Sequence, residues 1–277
     1  MTVVAGRFPP NPLCVPFTFC HPAAVLPLRQ LLPRLPLSAL VVGSMSPDFI
    51  YFLRLVPDGD IGHTLAGLFT FCLPTSLAVL WLWHRVVKEA AAAVLPAPLR
   101  VRLWPPARQP FAFGPASRFL GIGGAILVGA LTHIVWDGFT HADGWAVRHL
   151  PLLQGAVPFL GFGSMPISKL AQHLSSLAGG LLLLWWFRKW LRTAPVAAPQ
   201  ASRITEVSSL VWPLLLVSAA AAAGFGYGYW RTQPIVDYLS ARGLLARGIV
   251  SSCTALWLEL VVLGLWRRAA QLGAAAE

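Results

Sequence analysis

The sequence predicts an all-α integral membrane protein, a helical bundle of about five transmembrane helices preceded by a short helical hairpin. Three observations predict it. Hydrophobic residues make up 56% of the 277, and the mean hydropathy is +0.66. Charged residues make up only 11%, against roughly 25% in soluble domains. The apolar residues also gather into long runs, several of them near the ~20 residues that a helix needs to cross the hydrocarbon core.

The elements follow in chain order. Residues 1–15 carry Arg7 and several prolines but no apolar core of a signal peptide, so they read as a loose extension. Residues 16–277 read as a single helical membrane domain. Within it, Pro22–Leu32 and Pro36–Asp48 are short apolar stretches separated by Pro33, Arg34 and Leu35. At ~1.5 Å per residue neither spans a bilayer. The stretch 22–48 is therefore expected to form a hairpin, half-inserted or packed in the protein interior, because irregular backbone at that depth needs protein or water around it. Spanning helices are expected at about 64–84, 119–139, 172–190, 208–230 and 247–266. The proline-rich stretch 95–115 reads as an irregular loop. Ala219–Ala223 with Gly224, Gly226 and Gly228 forms a small-residue surface suited to close helix packing. No strand precedes these glycines, so they do not read as a nucleotide loop.

The net charge of +11 does not point to nucleic acid, because the basic residues collect in the gaps between apolar runs. Arg85, Lys88, Arg100, Arg102, Arg108 and Arg118 lie in the gap 85–118. Arg188, Lys189, Arg192 and Arg203 lie in the next gap on that side, and Arg267 and Arg268 follow the last run. The positive-inside rule makes these places cytoplasmic and turns the loops 140–171 and 231–246 outward. Cys14, Cys20, Cys72 and Cys253 lack metal or redox spacing and read as isolated thiols.

On that topology the rare ionisable residues converge. His133, Asp137 and His141 are spaced four apart at the end of an apolar run, so the first two share a helix face. His63 and His173 open their helices at the same outer end. If the hairpin enters from outside and turns near Arg34, then His21 and Asp48 emerge there too. Five of the chain's seven histidines and two of its ten acidic residues thus reach one face. His and Asp are good ligands for a divalent ion, and ionisable groups at membrane depth mark functional sites. His84, at the cytoplasmic end of its helix, is expected to stay solvated and outside the cluster. His149 is left open. Glu259, deep in the last helix, is expected to pair with a polar group or to face the bundle interior.

The motifs Pro16–Pro22 (PFTFCHP), Gly43–Phe49 (GSMSPDF), Gly62–Thr64 (GHT), His133–His141 (HIVWDGFTH) with Gly144–Trp145, and Gln172–Ser175 (QHLS) resemble an uncharacterised bacterial membrane family, domain of unknown function 4184. That family name implies no reaction. The order of His and Asp residues is also similar to the zinc-dependent phospholipase C and S1/P1 nuclease group, and to membrane-bound metal-dependent hydrolases. This resemblance implies a helical protein that hydrolyses phosphoesters with zinc held at helix ends. It implies His21, His63, His133 and Asp137 as metal ligands, His173 as a further ligand, and Asp48 as a ligand or as the catalytic base that orients water. The chain departs from the soluble enzymes in having an extension before His21 where they use a free amine. It also lacks an evident second-metal His and Glu pair, for which His141 or His173 would substitute.

The expected function is a membrane-bound hydrolase using one or two divalent ions, with Zn²⁺ favoured. It would act on a phosphoester, with a lipid or lipid-linked substrate favoured, at the outer face of the bacterial cytoplasmic membrane. An ion would bring the pKa of bound water from 15.7 to about 7. Arg148 or Lys169 could hold an anionic group, and Tyr51, Trp136 and Trp145 would sit at the interface. Two other classes stay open: a non-catalytic protein with a structural metal, and a transporter.

Overall fold

The computed structural model describes residues 18–158, 163–196 and 208–276. The expected extension 1–15 lies outside them. The first arm of the hairpin is a 3-10 helix, Thr18–Val25, followed by a single α turn, Leu28–Leu31. It is less regular than a continuous helix because Pro22 and Pro27 each remove a backbone donor. After a turn, α1 (Leu37–Met45) runs into a 3-10 turn, Ser46–Asp48, and the short helix Phe49–Arg54. Among the described residues, five helical stretches long and apolar enough to cross a membrane follow: Leu65–Val94, Ala116–His149, Ile167–Thr193, Leu210–Thr232 and Tyr238–Gly273.

Among these, α2 (Leu65–Val94) starts directly after His63. The Thr64 hydroxyl accepts from the Gly67 amide at 2.9 Å, an N-cap that contributes about 1 kcal/mol. The helix contains two π turns, Leu68–Cys72 and Trp83–Val87. It runs to Val94, past the expected end, because Lys88–Ala93 are strong helix formers and Pro96 lies beyond them.

The proline-rich stretch 95–115 differs from the expected irregular loop, since Ala97–Arg108 forms α3. Pro98 sits in its first turn, where no amide donor is needed. Lys88 Nζ donates to the Gln109 carbonyl and so ties the end of α3 to α2.

Helix α4 (Ala116–Thr140) is the centre of the fold. It crosses α1 at backbone contact. A Cβ on Gly43 would lie 2.2 Å from the Ile126 carbonyl oxygen, and one on Gly129 would lie 2.3 Å from the Leu40 carbonyl oxygen. Around this crossing Val25, Ala39, Leu40, Leu80, Ile122, Ala125 and Ile126 form the core. The hairpin's second arm is therefore packed in the interior.

Past α4, the connection to the next helix contains the short helices Trp145–His149 and Pro151–Gln154. It also contains a two-stranded antiparallel ribbon, β1 (Ala156–Pro158) with β2 (Ser164–Pro166). Next, α5 (Ile167–Thr193) leans on the Thr18–Val25 helix and on α4. Its Leu177, Leu181, Leu184 and Trp185 are exposed, as a lipid-facing helix requires. On the other flank, α6 (Ser208–Thr232) packs on α7 (Tyr238–Ala276) through its small residues. A Cβ on Gly224 would lie 2.2 Å from the Ser252 amide. In turn, α7 packs against α2 and the Phe49–Arg54 helix.

Candidate metal centre

Four segments deliver the candidate ligands to one end of the bundle. His21 lies on the Thr18–Val25 helix, and Asp48 ends the turn that follows α1. His63 ends the 3-10 turn Ile61–His63, immediately before α2. His133 and Asp137 occupy one face of α4, and His141 follows its last turn.

Glycines allow these segments to approach. The α1–α4 crossing at Gly43 and Gly129 brings the Ser44 carbonyl to His133 Nδ1 at 2.8 Å. Gly62 lets the His63 turn sit on the Pro47 backbone, where a Cβ would lie 2.2 Å from the Pro47 carbonyl oxygen. His63 and Asp48 are thereby placed side by side.

The geometry is that of ligands around a common centre. His133 Nε2 lies 3.1 Å from Asp137 Oδ2 and 3.5 Å from Asp48 Oδ1. His63 Nε2 lies 3.5 Å from each of Asp48 Oδ1 and Asp137 Oδ2. Asp137 Oδ1 faces His21 Nε2 at 3.6 Å and His141 Nδ1 at 3.4 Å. An N–H···O bond is normally 2.7–3.2 Å long, centred near about 2.9 Å, so five of these six separations are too long. Two atoms bound to one tetrahedral zinc at about 2.0–2.2 Å lie roughly 3.3–3.5 Å apart, and four of the six separations fall in that range. Consistent with this, His133 Nε2 and Asp48 Oδ1 are buried with no hydrogen-bond partner among the described residues.

Two overlapping trios have ligand atoms mutually within 4.8 Å: His21, His133 and Asp137, and Asp48, His63 and His133. The rings of His21 and His133 stack with centroids 3.7 Å apart.

Surrounding groups orient these side chains. The His133 Nδ1–H donates to Ser44, which leaves Nε2 with a lone pair toward the centre. The Thr18 hydroxyl donates to Asp48 Oδ2 at 2.6 Å, which leaves Oδ1 for His63 and His133. Asp48 and His133 have no exposure and His21 has 3%, whereas the side chains of His63 and His141 keep 24% and 22% and form the rim.

Burial, together with neighbouring His133, lowers the His21 pKa from 6.5 to about 4, against the pull of Asp137 and Asp48. The ring is therefore neutral and able to coordinate. For Asp48 burial works to raise the pKa, but the attraction of the neighbouring His133, helped by His63, brings it below the ordinary carboxylate value. Two buried carboxylates thus share one small volume. Among the described residues every ion pair they make is to histidine, and none is to Lys or Arg. A divalent cation would balance both charges with all the histidines neutral.

His173 is not brought to the cluster. It is exposed near the start of α5, whose inward face carries Ser168, Gln172 and Gly179. Gln172 is the residue that reaches the site, with Nε2 3.2 Å from His141 Nε2. His173 sits one position off that stripe, about 100° around the helix. His84 is half-buried rather than solvated, 3.1 Å from Ser38 Oγ and stacked on Phe111. His149 stays outside the cluster and bonds the Trp145 carbonyl through Nδ1. Glu259 is half-buried, with Oε2 buried and without a hydrogen-bond partner among the described residues. Sequence reasoning missed Thr18, the Ser44 carbonyl and Gln172. The small and polar spacing Ser168, Gln172, Ser175, Gly179 on an otherwise apolar helix was the available signal for Gln172.

The chain belongs to a family described as domain of unknown function (DUF4184), whose model matches residues 15–265. No curated protein and no solved structure matches it.

Proposed function

We propose that this DUF4184 protein is a membrane-bound metal-dependent hydrolase that cleaves a phosphoester at the outer face of the bacterial cytoplasmic membrane. The observation that carries the reading is the buried His and Asp set, whose facing atoms stand close to ligand-to-ligand distances, with His133 Nε2 and Asp48 Oδ1 buried and without a hydrogen-bond partner among the described residues. Imidazole and carboxylate donors suit zinc. Asp137 turns one oxygen toward His21 and His141 and the other toward His63 and His133, an arrangement able to bridge two ions. A divalent ion in such a site polarises a phosphoryl oxygen and activates water near neutral pH. His21, His63, His133 and Asp137 would hold it. Asp48 either coordinates through Oδ1 or acts as the base toward water.

A lipid or lipid-linked substrate is favoured by an open apolar groove of about 510 Å³ beside the centre. Ala24, Leu28, Val128, Leu131, Val135 and Trp136 line it, on helices at bilayer depth. At its upper end the Trp136 ring lies 5.4 Å from that of His21. The volume suits a small-molecule site, and an acyl chain lying there would bring its headgroup to the rim. The outward orientation rests on the basic residues at 85–118 and 188–207.

The burial of Asp48 and His133, with ligands drawn from four segments, also supports a second reading, a structural metal that fastens the hairpin to α4. Elemental analysis of metal-replete protein, combined with hydrolysis of a phospholipid and phosphoester panel, tests both. Protein without zinc, manganese or iron would refute both. Under the hydrolase reading, His133→Ala and Asp137→Ala give folded, inactive protein; under the structural reading they unfold it. Labelling of Ala142→Cys from the cytoplasm alone would overturn the outward placement.

A further inference from the structure

Helix α5 changes chemistry along its outer side. Leu181, Leu184, Trp185, Arg188, Lys189 and Arg192 follow the i, i+3, i+4 spacing of one helix face. Together they line an open groove of about 530 Å³. The first three are apolar and exposed; the last three are cationic and exposed. Leu181 lies nine residues past Gln172, about two and a half turns, so this face points away from the bundle. At 1.5 Å per residue, Arg188 stands about 24 Å along the helix from Gln172, clear of the metal centre. The stripe from Leu181 to Arg192 rises about 16 Å, close to half of the ~30 Å hydrocarbon core. Among the described residues every ion pair involves a histidine, so no carboxylate among them neutralises the three cations. The helix dipole favours a cation in the last turn, which accounts for Arg192. It does not account for Arg188 and Lys189, which extend the stripe directly from three lipid-facing side chains.

We propose that this face binds an anionic phospholipid from the leaflet at that end of the bundle. An acyl chain lies along Leu181, Leu184 and Trp185. The phosphate sits between Arg188 and Arg192, one turn apart, whose planar guanidinium forks suit its oxygens. The Lys189 ammonium, 5.3 Å from the centre of the Trp185 ring, closes the interfacial side, where an indole is at home. The order along the stripe, apolar, then aromatic, then cationic, is the order met along a lipid from chain to headgroup. A zwitterionic headgroup would bring a further cation against three that no described carboxylate offsets, so the occupant carries net negative charge. This site is separate from the metal centre and needs neither an ion nor turnover there.

The test is native mass spectrometry of the full chain in detergent, titrated with phosphatidylglycerol and with phosphatidylcholine of the same chains. Each cation near an anionic headgroup raises binding about fivefold, so three of them give the wild type a preference for phosphatidylglycerol on the order of 100-fold. Arg188→Gln combined with Arg192→Gln is expected to lower that preference to about fivefold. Arg267→Gln combined with Arg268→Gln removes two cations that lie outside the groove, and is expected to leave the preference near wild type. Equal binding of the two lipids by the wild type, a comparison that needs no variant, would overturn the proposal. An equal loss in both arginine pairs would overturn it in favour of a diffuse charge effect. A preference erased by millimolar inorganic phosphate at constant ionic strength would overturn it in favour of a free-anion site.

Discussion

Replacing Gly129 with alanine is expected to weaken metal binding without touching any ligand. A Cβ there would lie 2.3 Å from the Leu40 carbonyl oxygen and 2.7 Å from the Ser44 amide nitrogen. Ordinary contact requires roughly 3.5 Å, so α1 must retreat from α4 by roughly 1 Å. The retreat carries the Ser44 carbonyl away from His133 Nδ1, now 2.8 Å distant, beyond hydrogen-bond range. His133 then loses the acceptor that fixes its tautomer, which typically lowers metal affinity about 10–100-fold. The overpacked crossing itself costs about 1–3 kcal/mol. Gly124 supplies the control, because it lies on the same helix and a Cβ there meets nothing within 4 Å. Gly124→Ala is expected to be neutral or to stabilise by up to about 1 kcal/mol. Competition with a chromogenic chelator and thermal unfolding in detergent would measure both effects. A Gly129→Ala protein that binds metal like wild type and melts no lower than Gly124→Ala would refute the reasoning.

The remaining predictions concern the site and its supports. His173→Ala should leave metal affinity and melting temperature near wild type, since an exposed side chain away from the cluster contributes within about ±0.5 kcal/mol; a tenfold loss of affinity would restore it as a ligand. His21 is held near 4 against an ordinary 6.5, so between those values the unfolded chain binds a proton that the folded one does not. Metal-free stability should therefore fall as pH drops from 7 toward 4, by up to about 3 kcal/mol. Asp48, with its lowered pKa, should add a further loss on stronger acidification, and His21→Gln should flatten the window above it; a flat wild-type profile of melting temperature would contradict this. Zinc at 100 times its dissociation constant should stabilise the protein by about 2.7 kcal/mol, seen as a higher melting temperature that chelation reverses. Thr64→Ala should cost about 1 kcal/mol through loss of the cap on α2, with metal stoichiometry retained.

The gross architecture was legible because apolar runs of bilayer length admit few alternatives. The meeting of His21, Asp48, His63, His133 and Asp137 was visible as a common depth, since charge asymmetry and helix length together decide which ends share a side. The rotation of each helix about its axis was not visible. On α5 the lipid-facing residues are as apolar as core residues, so the usual contrast between faces disappears, and His173 could not be told from Gln172. Helix α3 was missed because six prolines were weighed together, whereas position decides the effect of each, and Pro98 in a first turn is harmless.

The glycines at the helix crossings change how other sequences of this kind should be read. Gly43 precedes Asp48, Gly62 adjoins His63, and Gly129 lies one turn before His133 on the same side of α4. Three of the four stretches that carry candidate ligands thus pair a donor side chain with a missing one. A search pattern that asks only for the histidines and aspartates would admit chains in which a bulkier residue holds the segments apart. Requiring Gly-x-x-x-His-x-x-x-Asp, Gly-His, and glycine five places before the hairpin's aspartate selects chains whose backbones can come close enough to share one ion.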